Sequence, residues 1–195
     1  MTRRAALAGL AGAAALVALP GRALAISAGQ AEALIDKVVA DINKIIASGK
    51  SEAAMIRDFE KVFVDYADVS RIALLVLGPD GRAASASQKR AFTKAFQGYV
   101  GRKYGKRFRE FIGGRIEVRG ARPVKSFYEV QTMTTITGHA PFEVVFVVSD
   151  KNGRFIDMKI EGISLVKSER SEIGAMLDRR RGDLNKLIND LKSAG

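Results

Sequence analysis

The first half of the chain carries apolar residues at intervals of three and four, the spacing of amphipathic helices. One such pattern begins after Ser27, a residue suited to cap a helix, and stops at Gly49. A second follows Ser51 and places Tyr66 on its apolar face. Residues 72–77 are apolar in every direction, so a helix there is expected to be buried all round or to line an apolar space.

A long helix is predicted from Ser87, with a basic face opposite an aromatic stripe. The stripe consists of Phe92, Phe96, Tyr99, Tyr104, Phe108, Phe111 and Ile112. Gly98, Gly101 and Gly105 each weaken a helix by roughly 1 kcal/mol relative to alanine. We therefore expect a bend, or the close approach of another backbone, at these glycines. Residues 26–112 are predicted to be mainly helical.

From residue 113 to 166 the period changes from helical to two, which predicts an antiparallel sheet. Four strands are predicted, over residues 115–119, 127–137, 142–149 and 155–166, with connections at 122–123, 138–141 and 151–153. Connections this short join antiparallel neighbours. Strand 142–149 is apolar on both faces, which is typical of a central strand. Gly162 interrupts the last strand and is predicted to form a bulge or bend that curves the sheet.

Helical patterns return over residues 167–195. Helices, then a meander of strands, then helices predict an α+β fold with a curved, four-stranded antiparallel sheet. Several helices would pack against this sheet, and the N-terminal helices would form a subdomain. The pattern predicts one domain over residues 26–195.

The first 25 residues have the organisation of a secretory signal peptide. Arg3 and Arg4 are followed by the apolar residues 5–19, and residues 23–25 form an A-x-A cleavage site. Cleavage after Ala25 and export from the cytoplasm are therefore expected. The paired arginines suggest twin-arginine export, but Ala6 stands where such signals carry a bulky hydrophobe, so the Sec route is favoured.

The formal charge of the chain is +11, and loss of Arg3, Arg4 and Arg22 with the leader leaves +8. A basic exported protein meets anionic lipid headgroups and acidic protein surfaces rather than nucleic acid, so nucleic-acid binding is not expected. The absence of cysteine excludes disulfides, thiolate nucleophiles and cysteine-ligated zinc. The single histidine, His139, lies among turn-forming residues and is predicted to belong to a hairpin connection.

Catalytic and metal-binding patterns are poorly represented. The chain lacks a G-x-S-x-G elbow and a phosphate-binding loop, and Asp65 and Asp68 form an isolated pair that is too small for calcium. Asp157 and Glu161 alternate with apolar strand residues and are expected to face solvent or a basic helix. A buried carboxylate that acts as a base on a small apolar substrate stays open as an alternative.

The clearest feature of the sequence is an excess of apolar surface on two sides of the predicted fold. Either the sheet and the helices meet and fill the core, or they stop short and leave a cavity. Regular spacing alone favours a filled core. The sheet residues concerned are Val130, Val144, Phe146, Met158, Ile160 and Ile163, and the helix residues are Tyr66, Ile72, Leu75, Val76, Phe96 and Tyr99.

Several short motifs, in order, resemble those of the MlaC family, the toluene-tolerance proteins. They are Asp65-Tyr66-Ala67-Asp68, Ile72-Ala73, Leu77-Gly78, Ser87-Gln88 with Phe92 and Phe96, Tyr99 with Tyr104-Gly105, and Ile160-Glu161-Gly162-Ile163-Ser164-Leu165. The likeness runs from about residue 30 to residue 191. Gly81-Arg82 stands where the family usually carries an aromatic residue before an arginine, and Ile173 replaces a common phenylalanine.

The resemblance implies a periplasmic phospholipid carrier with a sheet similar to the nuclear-transport-factor (NTF2-like) fold. Acyl tails would lie in an apolar cavity between sheet and helices, lined by the twelve apolar residues named above, and Gly162 would let the tails enter. The implied partners are an outer-membrane lipoprotein–porin complex and the inner-membrane Mla ABC complex with its MlaD-like ring, reached by transient docking.

The resemblance implies no catalysis and no cofactor, with phospholipid as cargo, and a soluble shuttle is expected to be a monomer. Two alternatives stay open: a small-molecule enzyme on an NTF2-like cone fold, and a basic periplasmic adaptor with a filled core.

Overall fold

The computed structural model describes residues 25–195, apart from the side chains of residues 108 and 109. The predicted leader lies outside these residues. In chain order the elements are α1 (Ala28–Ile46), α2 (Glu52–Tyr66), α3 (Val69–Leu77), α4 (Asp80–Ala83), α5 (Ala86–Gly105), a 3-10 helix (Lys106–Phe111), β1 (Arg115–Val124), β2 (Phe127–Thr135), β3 (Phe142–Ser149), β4 (Phe155–Ile160), β5 (Ile163–Ser164), α6 (Leu165–Arg179) and α7 (Leu184–Leu191). None of the helices in this part of the chain is long and apolar enough to cross a membrane.

Capping boxes start the two longest helices. The Ser27 hydroxyl accepts from the Gln30 amide at 3.2 Å, and the Gln30 side chain accepts from the Ser27 amide at 2.8 Å. Ser85 and Gln88 repeat this arrangement at α5. The predicted cap at Ser27 is therefore confirmed, whereas the cap of the long helix lies two residues before the predicted Ser87.

Helix α5 crosses α2 closely at its glycines. A Cβ atom on Gly105 would lie 2.9 Å from the Ile56 Cα atom, and one on Gly101 would lie 3.1 Å from the Glu60 Cβ atom. The predicted close approach of another backbone is confirmed at Gly105, whereas the nearest atoms at Gly101 and Gly98 belong to side chains. It brings the last turn of α5 against α2.

The apolar run 72–77 predicts that α3 is either buried on all sides or lines an apolar space, and burial on all sides is wrong. Ile72, Ala73, Val76 and Leu77 are buried, but Leu74 and Leu75 are each 41% exposed. A helix packed on one side against α5, α6 and β4 leaves its far side in solvent, whatever residues stand there.

The sheet has five antiparallel strands in the order β1-β2-β3-β4-β5, not four. β1 runs to Val124 and includes residues 122–123, which the sequence assigns to a connection; the turn is at residues 125–126, where Lys125 has a φ of 55°. β3 is central, as predicted. Bulges occur between Val118 and Gly120 in β1 and opposite the Val147–Val148 step in β4. Bulges bend a strand and increase its twist.

The fifth strand follows a reversal of the chain at Glu161-Gly162. Both residues have positive φ, 49° and 81°, and Ile160 pairs with Ile163 across them. This is the geometry of a two-residue type I′ hairpin. The predicted bulge at Gly162 is therefore wrong, because the chain reverses direction there instead of bending.

Helix α6 begins at Leu165, directly after β5 and two residues before the predicted helical region 167–195. The Asp157 carboxylate accepts hydrogen bonds from the Ser164 hydroxyl at 2.6 Å and from the Val166 amide at 3.0 Å. Ser164 in turn caps α6 by accepting from the Lys167 amide. Asp157 thus joins β4, β5 and α6. The resemblance of this sheet to the NTF2-like fold stays a prediction.

Candidate functional site

A cavity of about 670 Å³ lies between one face of the sheet and the helices. Strand residues at alternate positions form one wall, and α1, α2, α3, α5 and α6 form the others. The sheet wall includes Ile116, Thr132, Val144, Met158 and Ile160. A volume of this size falls within the range of about 300–1,000 Å³ that is common for small-molecule sites.

The floor of the cavity is apolar and rigidly packed. It consists of the buried residues Phe63, Ile72, Val76, Phe96, Phe146 and Phe155. The Phe146 and Phe155 rings meet edge to face with their centroids 5.6 Å apart, and Phe63 lies 6.3 Å from Phe155. Such contacts stabilise the aromatic floor beyond simple burial. These six side chains offer hydrocarbon contacts, while Thr132 and Thr134 add two buried hydroxyls to the lining.

The mouth of the cavity is polar. Its lining residues there are solvent-exposed and include Arg107, Glu110, His139 and Glu161. They lie in the 3-10 helix that follows α5, in the β2–β3 connection and in the β4–β5 turn. The cavity is therefore amphipathic along its depth, with an apolar floor and a charged entrance.

A polar cluster, buried at Tyr99 and Glu169 and exposed at Glu172, interrupts the wall between α5 and α6. The Lys103 ammonium donates to Glu169 Oε1 at 2.7 Å, to Glu172 Oε2 at 2.5 Å and to the Tyr99 hydroxyl at 2.9 Å. Tyr104 also donates to Glu169 Oε1, and Tyr99 donates to Glu172. Lys103, Tyr104 and Glu169 line the cavity.

The charge states in this cluster follow from burial and pairing. Burial raises the pKa of the Tyr99 and Tyr104 hydroxyls above their usual value, and the neighbouring glutamates add to the effect. Burial acts to lower the pKa of Lys103, but its bonds to Glu169 and Glu172 outweigh this and raise it. The Lys103 bond lowers the pKa of Glu172. Near neutral pH, Lys103 is a cation, Glu172 an anion and the tyrosines are neutral.

The structure brings seven of the twelve predicted lipid-binding residues to the cavity wall. They are Ile72, Val76, Phe96, Val144, Phe146, Met158 and Ile160. That they contact lipid stays a prediction.

The other five lie elsewhere. Tyr66 donates its hydroxyl to Asp41 on α1 at 2.7 Å, and Tyr99 is buried in the polar cluster. Val130 is fully buried within the core. Leu75 and Ile163, 41% and 65% exposed, project away from the cavity.

The sequence pattern misses the polar part of the site. The sequence pattern predicts that Lys103 belongs to a solvated basic face, and it predicts no special role for Glu169. In the structure the two side chains are hydrogen-bonded, although they lie 66 positions apart in the chain. Gly105, directly after Tyr104, is a weak sequence signal of this part of the site, because its close contact with Ile56 draws this end of α5 towards α2.

Neither Asp157 nor Glu161, the two carboxylates considered as catalytic bases, is a buried carboxylate without partners. Asp157 accepts bonds from the Met158 and Val166 amides and the Ser164 hydroxyl, so it stabilises a turn. Glu161 is exposed at the mouth. Within residues 25–195 no group of three or more His, Cys, Asp or Glu residues could hold a metal ion.

Comparison with known proteins gives the context of this geometry. The fold is similar to the structure of the phospholipid-binding protein from Ralstonia solanacearum in complex with a phospholipid, with a TM-score of 0.71. The two sequences are 17% identical, and the match covers 83% of this chain and 94% of that one. The family model described as MlaC protein matches residues 32–193. The chain therefore belongs to the MlaC family.

Proposed function

We propose that the protein is a periplasmic phospholipid carrier of the Mla system, with the acyl tails in the cavity and the headgroup at its mouth. The observation that carries the proposal is the amphipathic cavity of about 670 Å³, apolar at its floor and charged at its entrance. Membership of the MlaC family, and a similar fold in a protein described with a bound phospholipid, support it.

The physical requirement for such a carrier follows from the hydrophobic effect. A lipid with two tails of about 16 carbons exposes about 30 methylene groups to water, at about 0.8 kcal/mol each, or about 24 kcal/mol in total. Free diffusion between membranes is therefore negligible. A cavity that replaces most of the bilayer contacts makes transfer nearly balanced, so the carrier itself needs no nucleotide site.

The cellular context is part of the proposal. Export by the leader and cleavage after Ala25 would place the carrier in the periplasm. There it would dock transiently, as a monomer, to the outer-membrane lipoprotein–porin complex and to the MlaD-like ring of the inner-membrane ABC complex. The exposed basic residues of the 3-10 helix after α5, among them Lys106 and Arg107, suit contact with acidic partner surfaces or anionic lipid.

A transfer assay tests the carrier function. Donor vesicles with a self-quenched fluorescent phospholipid are mixed with unlabelled acceptor vesicles, and the protein is added at increasing concentration. We expect the rate of dequenching to rise in proportion to the protein concentration. A rate that stays at its protein-free value, with folded protein, would refute the carrier function. Cell fractionation and the mass of the mature N-terminus test export separately.

The two alternatives fit the geometry less well. An enzyme that uses Asp157 as a base would need that carboxylate free, but it accepts three hydrogen bonds, from Met158, Ser164 and Val166. An adaptor with a filled core would not leave a cavity of this volume behind the sheet. Binding and transport therefore account for the site better than catalysis or adaptor function.

A further inference from the structure

The residues that line the mouth come from both edges of the sheet. In this antiparallel meander, β1 begins at the same end at which β4 stops. The 3-10 helix before β1 supplies Arg107 and Glu110, and the β4–β5 turn supplies Glu161. Because β1 and β5 are the edge strands, these two segments stand on opposite sides of the mouth. The β2–β3 connection, with His139, lies between them.

Each side of the mouth carries one large apolar side chain that is exposed to solvent. Ile112, directly after the 3-10 helix, is 54% exposed, and Ile163, directly after the β4–β5 turn, is 65% exposed. They are the two most exposed large apolar side chains in the part of the chain that the structure describes. Neither lines the cavity. A single exposed isoleucine needs no explanation, but two that flank the entrance of an apolar cavity indicate a contact made at that entrance.

The spacing of the two isoleucines favours a lipid bilayer over a folded protein as their partner. Four strand spacings separate β1 from β5, which is up to about 19 Å. The surface between them is the open, polar mouth and not a continuous apolar patch. Protein interfaces bury a contiguous, closely packed centre. The boundary between headgroups and acyl chains, by contrast, can accept separate apolar side chains.

The charge on one side of the mouth complements an anionic bilayer surface. Residues 106–119 contain five basic and two acidic residues, which leaves a formal charge of +3. Lys106 and Arg115, on either side of Ile112 in the chain, are exposed. Basic segments of this kind are attracted to anionic headgroups. The opposite side of the mouth is acidic at Glu161, so the attraction belongs to the side that carries Ile112.

We propose that the rim of the mouth, formed by Ile112 and Ile163, contacts the surface of a lipid bilayer that contains anionic lipid. The two isoleucines enter the acyl boundary while the charged residues beside them stay among the headgroups. This inference rests on the proposed carrier function and adds a partner to it. A tail that leaves the bilayer at the rim enters the apolar cavity without crossing water, which removes most of the cost of its transfer.

Single tryptophan variants test the contact, because the chain contains no tryptophan of its own. Ile112→Trp and Ile163→Trp are compared with Leu74→Trp, a control at a position on α3 that is 41% exposed and does not line the cavity. Vesicles contain equal amounts of phosphatidylethanolamine and phosphatidylglycerol. We expect their addition to shift the emission of both rim variants to shorter wavelength and to leave that of Leu74→Trp unchanged. The shift should vanish when the vesicles are removed, whereas a shift caused by lipid in the cavity would stay with the protein.

Serine variants measure how much the rim contributes to membrane binding. Ile112→Ser and Ile163→Ser each remove one apolar side chain without changing the charge, and Leu74→Ser is the matched control. The fraction of folded protein that floats with the vesicles is measured for each. We expect binding about tenfold weaker for each rim variant and unchanged for Leu74→Ser. Vesicles of phosphatidylcholine alone, or added salt, should weaken the binding of the wild-type protein.

The outcomes separate this inference from the carrier function. Wild-type protein that loads lipid but floats with neither kind of vesicle would overturn the inference, whatever the variants do, and would leave the carrier function intact. Equal losses in the rim variants and Leu74→Ser would overturn the assignment to the rim. Rim variants that float normally, yet lose transfer when membrane protein complexes are present, would assign the rim to a protein partner and overturn the bilayer contact. Wild-type protein that loads no lipid at all would refute the proposed function itself.

Discussion

Substitution of Met158 by tryptophan should block the cavity without unfolding the protein. Met158 stands in the middle of β4, directly opposite Phe146 on β3, and lines the cavity while only half-buried. A larger side chain at this position therefore has room to extend into the cavity. Predicted lipid-binding residues in the floor of the cavity, such as Phe146, are too tightly packed to be replaced by a larger side chain in the same test.

The size of the effect follows from the atoms that the indole adds. Tryptophan has about six more side-chain atoms than methionine, so it displaces up to about six methylene groups of the cargo into water, at about 0.8 kcal/mol each. The upper limit is about 5 kcal/mol, which lowers the affinity on the order of a thousandfold. Tails that rearrange within the cavity would reduce this figure, so a loss of about tenfold or more is expected.

Met133→Trp is the matched control for this substitution. Met133 lies on β2 between Glu117 and Glu143 and does not line the cavity. Lipid loading from vesicles and thermal unfolding by circular dichroism are measured for both variants. Met133→Trp should load lipid as the wild-type protein does. If Met158→Trp is folded and loads the same amount of lipid, the assignment of the cavity to the acyl tails is refuted.

Three further predictions concern stability. Gly105→Ala should lower the free energy of unfolding by about 1–3 kcal/mol, because its Cβ would lie 2.9 Å from the Ile56 backbone. Gly98→Ala should lower it less, because its Cβ would meet only the end of the Arg102 side chain, at 3.1 Å, and alanine favours the helix by up to about 1 kcal/mol. Urea unfolding compares them, and an equal effect would contradict the packing. The hydrogen bond from Lys159 holds the pKa of Glu129 below its usual value, against the effect of burial and with help from Arg122. The ionised carboxylate therefore stabilises the fold above about pH 4.3, and this contribution is lost as the pH falls through the lowered pKa. Glu129→Gln should therefore lose less stability than the wild-type protein between about pH 5 and 3, and parallel curves would contradict the prediction. Burial raises the pKa of Tyr104, so stability should fall as the pH rises above about 10, and the fall should be smaller in Tyr104→Phe; identical slopes in chemical unfolding would count against it.

The helices and most strands could be predicted because their signals are local. The Ser27 cap, the central strand β3 and the connection at residues 151–153 each depend on neighbouring residues alone. The turn at Glu161-Gly162 could not, because its backbone needs positive φ at both positions, and glutamate seldom adopts that conformation. The alternation on either side of it reads as one interrupted strand.

The cavity wall was partly predictable for a related reason. Alternation identifies which strand residues share a face, so Val144, Met158 and Ile160 are found together. Alternation does not tell whether neighbours fill the space beside a residue, and Val130, on the same face, is completely packed. The pairing of Lys103 with Glu169 depends on how α5 meets α6, which no local pattern encodes.

The central claim is that the cavity holds phospholipid, and mass spectrometry of the protein purified from cells under native conditions tests it most directly. We predict a complex with a mass one phospholipid above that of the mature chain, in near-stoichiometric amount, with the lipid released and identified on activation. Protein that is found only in its lipid-free form, and that stays so after incubation with phospholipid vesicles, would contradict the account.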